Sequence, residues 1–207
     1  MRKTSTPLTL SVLALVLACG SLISPQSSRA AGLDTSSRII APPRVAERQV
    51  VRYLVPKYNG AYTNSDVRWL VGRYFDVSVE AGVDPLVVIA QMDHETAHLS
   101  SYWSQRPRRN PAGIGVTGEP GEGVSFPRWS YSVDAHVGRL LAYALPRSAG
   151  TTRQKTLIAR ALSWRSLPDS YRGSARTIYG LQRRWGSDRY YARKLARAGD
   201  VIDAVPR

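Results

Sequence analysis

Asp84-Pro85-Leu86-Val87-Val88-Ile89-Ala90-Gln91-Met92-Asp93-His94-Glu95-Thr96 changes character halfway along its length. Asp84 before Pro85 is a helix start. The Asp side chain can cap free N–H groups, and Pro fits the first helical position, where its missing N–H costs nothing. Leu86 to Ala90 would be apolar on every side of a helix, which places that helix in the centre of a domain. From Gln91 the same stretch turns polar, with Asp93, His94, Glu95, Thr96 and then His98. A central helix that ends in ionisable groups predicts a half-buried carboxyl at the floor of a cleft. Burial beside apolar groups disfavours a charged carboxyl, so Glu95 is the candidate general acid. The competing reading is an ordinary surface Glu near a helix end.

Helical periodicity surrounds this centre. Val67, Leu70, Val71, Tyr74, Phe75 and Ser78 fall at i, i+3, i+4, i+7, i+8 and i+11. That stripe predicts a helix capped by Asn64 or Ser65 and ended by Gly82. Val133, Val137, Leu140, Leu141 and Ala144 form another stripe, stopped by Pro146. Thr151 to Leu162 predicts a further helix. Tyr191, Leu195, Ala198 and Ile202 mark a last one, basic on its outer face. Residues 103–130 are rich in Gly, Pro and Trp, and read as loops with a short β-hairpin around Ile114–Phe126. The expected class is mainly α (α+β).

The N-terminus reads as an export signal over residues 1–30. Arg2 and Lys3 precede an apolar stretch from Leu8 to Ile23, and Ser28-Arg29-Ala30 fits the small-x-small cleavage pattern. Val16-Leu17-Ala18-Cys19-Gly20 offers a lipobox alternative, with Cys19 lipidated. The product is either secreted or held in the cell envelope, without a stable membrane span. Cys19 is the only cysteine, so the remainder of the chain has no disulfide and no thiolate ligand. Residues 31–63, with Ser36-Ser37, Pro42-Pro43 and the turn signal Tyr58-Asn59-Gly60, read as a tether and irregular N-terminal segment. Val45 to Val55 is either a short helix or a strand. The periodic domain covers residues 64–205.

Removing residues 1–30 takes away Arg2, Lys3 and Arg29 and no acid, which lowers the formal charge from +14 to +11. Such a charge suits an anionic partner. Nucleic acid, anionic lipid and bacterial wall polymer all qualify by charge. Export favours the anionic wall polymer and argues against nucleic acid. No Gly-rich phosphate loop precedes a helix, and no cofactor is implied.

His94-Glu95-Thr96-Ala97-His98 also reads as H-E-x-x-H, the helical spacing of a zinc peptidase with Glu as general base. The third ligand is missing from the sequence. Ser101 and Ser104 stand where the extended pattern needs Gly and His. Glu119 and Glu122 lie in Gly118-Glu119-Pro120-Gly121-Glu122-Gly123, a turn-rich run and not a helix. His136 lies among Val133, Leu140 and Tyr143 and reads as a packed histidine.

Several segments resemble one family. Ala81-Gly82-Val83-Asp84-Pro85, Ala90-Gln91, Glu95-Thr96 and Asn110-Pro111-Ala112-Gly113-Ile114-Gly115 follow in the order and spacing of the endo-β-N-acetylglucosaminidase-like peptidoglycan hydrolases. Phe126 to Leu145 and Trp185 to Ile202 resemble that family's later segments more loosely. About 140 residues are covered. The resemblance implies a lysozyme-like helical fold with a small β-lobe. It implies hydrolysis of the β-1,4 bond after N-acetylglucosamine in peptidoglycan glycan strands, with Glu95 as general acid. Asn110, Gly113 and Ile114 match the family's second motif, which shapes the cleft wall and contributes to substrate binding.

The sequence departs from the family at three places, which leaves a non-catalytic cell-wall-binding module as an alternative reading beside the zinc peptidase. His98 replaces an aromatic residue. Trp185 replaces the Tyr that opens the closing motif, so a phenolic OH would have to come from Tyr190 or Tyr191. Arg189 replaces a Pro. A second acid, if the β-lobe supplies one, would be Glu119 or Glu122. A substrate-assisted route needs only Glu95. Trp103, Trp129 and Trp185 can either stack on sugars or pack in the core. Arg106, Arg108 and Arg109 can meet wall carboxylates or form a solvated loop.

Overall fold

The computed structural model describes residues 32–119 and 121–207. The expected export signal and Cys19 lie outside the described residues. Among the described residues seven α-helices follow in order: α1 (Glu47–Leu54), α2 (Asn64–Glu80), α3 (Pro85–Thr96), α4 (Trp129–Ala144), α5 (Thr152–Trp164), α6 (Ile178–Leu181) and α7 (Tyr191–Asp203). The protein is mainly helical.

The helix termini follow local chemistry. Asp84 caps α3 by accepting from the Leu86 N–H at 3.0 Å, and Pro85 takes the first helical position. The Asp84 carboxylate also meets the Arg44 guanidinium, which ties the approach to α1 to the start of α3. The cap of α2 is Thr63, one residue before the expected Asn64. Its hydroxyl accepts from the Asp66 N–H while the Asp66 carboxylate accepts from the Thr63 N–H. This reciprocal pair satisfies two helix-end donors at once, which a lone Asn64 would not do. Gly82, with φ +69°, supplies the left-handed turn that follows α2.

α3 is the hub. Every residue from Leu86 to Met92 is fully buried, and the helix packs against α7, α2 and α4. A fully buried aliphatic side chain contributes roughly 1.5–3 kcal/mol, so this stretch anchors the domain. The α2 stripe is buried as its period requires, including Ser78, whose hydroxyl has no hydrogen-bond partner among the described residues. α4 and α5 cross closely at Gly138. A Cβ there would lie 2.1 Å from the Leu157 carbonyl oxygen, so only glycine permits the approach.

The stretch expected as tether and irregular structure carries α1 and part of the core. Leu33, Ile39, Val45, Val50 and Leu54 are buried. The Ile39 N–H donates to the Arg176 carbonyl at 3.1 Å, and the Ile39 carbonyl accepts from the Asp84 N–H at 3.0 Å. Single apolar residues spaced among Ser, Arg and Pro carry no period, which is why burial here was not legible.

The expected hairpin at Ile114–Phe126 is corrected by the structure. Among the described residues no strand forms there, and the ladder reduces to one bond, Val124 N–H to Ile114 C=O at 2.9 Å. Gly113, Gly115, Gly118, Gly121 and Gly123 all have positive φ, which breaks the extended run a ladder needs. No helix among the described residues is long and apolar enough to cross a membrane.

Candidate active site

Glu95 lies one residue before the end of α3, where the helix leaves the core. Asp93 and Thr96 are buried, His94 is exposed, and Glu95 is half-buried. Burial raises the Glu95 carboxyl above its ordinary pKa, and a hydrogen bond from Tyr191 partly opposes the shift. The Tyr191 hydroxyl donates to Glu95 Oε1 at 2.5 Å. Tyr191 opens α7 and is itself buried, so the phenolic OH reaches the acid from a fixed helix. Burial and the adjacent Glu95 push the Tyr191 hydroxyl well above its ordinary range, which keeps it a donor.

Glu95 Oε2 faces the second motif. A Cβ built on Gly113 would lie 3.5 Å from it, and Gly113 has φ +60°. Glycine is thus used here both for its backbone and for the room it leaves beside the oxygen. Asn110 creates this loop. Fully buried, it donates from Nδ2 to the Ile114 and Val124 carbonyls at 2.9 and 3.0 Å, and accepts from the Ile114 N–H at 2.9 Å. Those bonds engage both hydrogens of its side-chain amide, so Asn110 fixes the shape of the loop. Ile114 is buried with Ala112, Phe126 and Ala135 and has the same shaping part.

Directly beyond Thr96 the chain makes an unusual turn. Ala97, His98 and Leu99 all adopt left-handed backbone, with φ of 46°, 59° and 63°. Side chains disfavour that region by roughly 1–2 kcal/mol per residue. The Thr96 side chain holds the turn: its hydroxyl accepts from the Leu99 N–H at 2.9 Å and donates to the Met92 carbonyl at 2.6 Å.

The turn also decides how the two histidines of His94-Glu95-Thr96-Ala97-His98 are placed. α3 ends at Thr96, so His98 does not follow His94 on one helical face. His98 Nδ1 is bound to Asp93 Oδ1 at 2.6 Å, whereas the His94 ring packs against Tyr191 with centroids 5.6 Å apart. His136 is fully buried, with both ring nitrogens engaged. Among the described residues no three His, Cys, Asp or Glu side chains are arranged to hold a metal ion.

The remaining candidates divide. Trp129 is buried against Tyr62 and belongs to the core. Trp185 is half-buried against His136 and Tyr143, with the Arg139 guanidinium 6.0 Å from its ring. Trp103 is half-buried and covers Gly123, where a Cβ would meet its ring at 2.4 Å. Glu119 and Glu122 are exposed, and Glu122 is bound by the Thr117 hydroxyl in the same loop. Arg106 pairs with Asp66 at 3.5 Å, Arg108 lies on the Tyr102 ring, and Arg109 donates to the Pro107 and Phe126 carbonyls. These arginines brace the loop.

The residues that sequence reasoning missed are those behind Tyr191. Gln91 Nε2 donates to the Tyr191 hydroxyl oxygen at 2.7 Å. Gln91 Oε1 lies 2.9 Å from His136 Nε2, and His136 Nδ1 lies 3.0 Å from the Tyr74 hydroxyl. A polar Gln within an otherwise apolar run, and a His on an apolar stripe, were the available signals.

No family model and no solved structure matches this chain. A protein of Borreliella burgdorferi described only as uncharacterized is 29% identical over 144 residues, which is 68% of this chain. The chain spans 63% of that relative's length.

Proposed function

We propose that the protein is an exported peptidoglycan hydrolase with a lysozyme-like helical fold, cleaving the β-1,4 bond after N-acetylglucosamine with Glu95 as general acid. The observation that carries this reading is the Glu95 carboxyl itself. It is half-buried, raised in pKa by that burial, held at Oε1 by Tyr191, and without a hydrogen bond at Oε2 among the described residues, where Gly113 lies beside it. A general acid needs a proton retained near neutral pH and one oxygen unobstructed toward the leaving group. In this reading Oε2–H gives its proton to the glycosidic oxygen as the C–O bond breaks, and Glu95 is left as a carboxylate bonded to Tyr191.

Glu119 and Glu122 are poorly suited as a second carboxylate, because an acid–base pair must be held at a fixed separation and both are exposed on a glycine-rich loop. The substrate-assisted route fits better: the sugar's acetamido oxygen attacks the anomeric carbon, and water later opens the ring so formed. The basic charge favours retention at the anionic wall, and the proposed location is secreted or cell-envelope. Trp103 and Trp185, both half-buried, are the aromatic groups proposed to border the sugar path, while the buried Tyr191, first expected among them, acts through Glu95.

The test is digestion of purified peptidoglycan, with mass spectrometry of the new reducing ends. Wild-type protein is expected to release N-acetylglucosamine ends and Glu95→Gln none. Equal release by both proteins would exclude Glu95 as the acid. Loss of activity on chelation, with stoichiometric zinc, would transfer the reading to a peptidase using His94, Glu95 and His98.

A further inference from the structure

Behind Glu95 runs a line of buried side chains that the acid alone does not require: Tyr74 on α2, His136 on α4, Gln91 on α3 and Tyr191 on α7. Successive separations are 3.0 Å from Tyr74 Oη to His136 Nδ1, 2.9 Å from His136 Nε2 to Gln91 Oε1, 2.7 Å from Gln91 Nε2 to Tyr191 Oη, and 2.5 Å from Tyr191 Oη to Glu95 Oε1. Tyr74, His136 and Gln91 are fully excluded from solvent, and Tyr191 is nearly so. Four helices each contribute one member, so the line is a product of the tertiary fold.

Chemistry fixes the direction of the line. Gln91 Nε2 can only donate, so the Tyr191 oxygen accepts from it and its own O–H points at Glu95. Gln91 Oε1 can only accept, so His136 must present Nε2–H to it. A neutral imidazole carries one N–H, so Nδ1 is the acceptor and the Tyr74 O–H donates to it. His136 is held neutral, because burial pushes the imidazole down to about 3. Four successive bonds therefore all donate toward Glu95.

We propose that His136 and Gln91 are positioning residues that fix the Tyr191 proton on Glu95 Oε1 and so confine the acid's own proton to Oε2, the oxygen beside Gly113. This rests on the reading of Glu95 as general acid. If the Gln91 amide turned over, every bond would reverse. Gln91 Oε1 would accept the Tyr191 O–H, Gln91 Nε2 would donate to His136 Nε2, and Nδ1–H would donate to Tyr74. The Tyr191 oxygen would then accept a proton from Glu95 Oε1–H, with the acid's proton turned inward and unable to reach a leaving group. The His136 tautomer thus distinguishes a productive acid from an idle one. Once Glu95 has given up its proton, the same line supplies a donor to the new carboxylate, so the interaction strengthens as the reaction proceeds.

Two measurements test the proposal. The first uses the wild-type chain and no substrate: nitrogen-15 NMR of the His136 ring should show Nε2 protonated and Nδ1 bare from pH 5 to pH 8. An Nδ1–H tautomer would overturn the proposal, whatever the enzyme does. The second compares His136→Leu with His136→Gln, whose side-chain amide restores a donor to Gln91. His136→Leu should lower kcat by roughly 10- to 100-fold with KM within about twofold, the size expected of a misplaced reacting group, and His136→Gln should recover most of it. Unchanged kcat in a folded His136→Leu protein would also overturn it. Activity that survives Glu95→Gln would instead remove the reading of Glu95, with the tautomer measurement still standing on its own.

Discussion

Asp93 and Glu95 are two carboxylates two residues apart on one helix, and the fold treats them in opposite ways. Asp93 faces α1 and is closed on both oxygens: Oδ2 accepts the Tyr53 hydroxyl at 2.9 Å and Oδ1 binds His98 Nδ1 at 2.6 Å. Glu95 faces α7 and the 110–115 loop. Tyr191 closes Oε1, and among the described residues nothing is hydrogen-bonded to Oε2. Each carboxylate has a buried tyrosine as its donor. What separates them is the other oxygen. A carboxylate with both oxygens satisfied is a strut, whereas one with an oxygen left open can exchange a proton with a ligand.

The largest expected effect breaks this comparison at Glu95. On the proposed function, Glu95→Gln should reduce glycan cleavage by about 10²- to 10⁴-fold, the usual contribution of a general acid. It should leave folding intact, because a Gln oxygen can still accept the Tyr191 O–H. Stability should move the other way. The folded-state pKa of Glu95 is raised, so its burial costs nothing at low pH and destabilises the protein as pH rises through the ordinary carboxyl range and then the raised value. Glu95→Gln should therefore have a higher melting temperature than wild type near neutral pH, and the gain should vanish in acid. Calorimetry across pH checks this. A variant that is less stable at neutral pH would show that Glu95 is a strut as well.

Asp93→Ala is the counterpart. It leaves the Tyr53 hydroxyl and His98 Nδ1 without their partner, in a place where Tyr53 is 6% exposed. Leaving a buried donor unsatisfied costs about 1–3 kcal/mol. Chemical denaturation should show a loss of that size, while cleavage per folded molecule stays within a few-fold of wild type. Loss of activity without loss of stability would move Asp93 from the scaffold into the chemistry.

Gly113→Ala tests the open oxygen. The residue would have to hold φ +60°, at a cost of roughly 1–2 kcal/mol. Its methyl would also rest 3.5 Å from Oε2, in contact but without a clash. Stability should fall by about that cost, and activity should fall further than an equally destabilising change elsewhere. Gly138→Ala is a control, since it destabilises the α4–α5 crossing by steric conflict. If both variants lose activity only in proportion to folded protein, Oε2 has no special exposure.

The sequence carried one half of this comparison better than the other. The Asp84-Pro85 start and the apolar run to Ala90 made α3 and its central place legible, because capping and all-round hydrophobicity are local signals. The half-buried position of Glu95 followed from the change of character at Gln91. The fate of His98 did not follow, because three non-glycine residues in left-handed backbone leave no compositional mark, and H-E-x-x-H looks the same whether or not the helix continues. Asn110 was read as part of a cleft wall, but one of its three bonds to backbone depends on where Val124 lies, fourteen residues on. The hairpin expectation failed where glycines with positive φ replaced an extended ladder. Gln91 and His136 stayed unread as a pair, because they meet only when α3 and α4 are packed together.

The smallest effects come from deleting one hydroxyl at each carboxylate, an identical chemical change made twice. Tyr53→Phe removes a donor from Asp93 and should cost about 1 kcal/mol of stability, with the pH profile of cleavage unmoved. Tyr191→Phe removes the bond that lowers the Glu95 pKa, while burial, which raises it, remains. The Glu95 pKa should therefore rise further. An acid that must be protonated to act stays competent up to its pKa, so the alkaline limb of kcat should move to higher pH even as kcat itself falls with the loss of positioning. Only the second substitution should move that limb. If Tyr53→Phe moves it too, the two carboxylates are coupled through α3, and the division between strut and acid gives way to a single titrating unit.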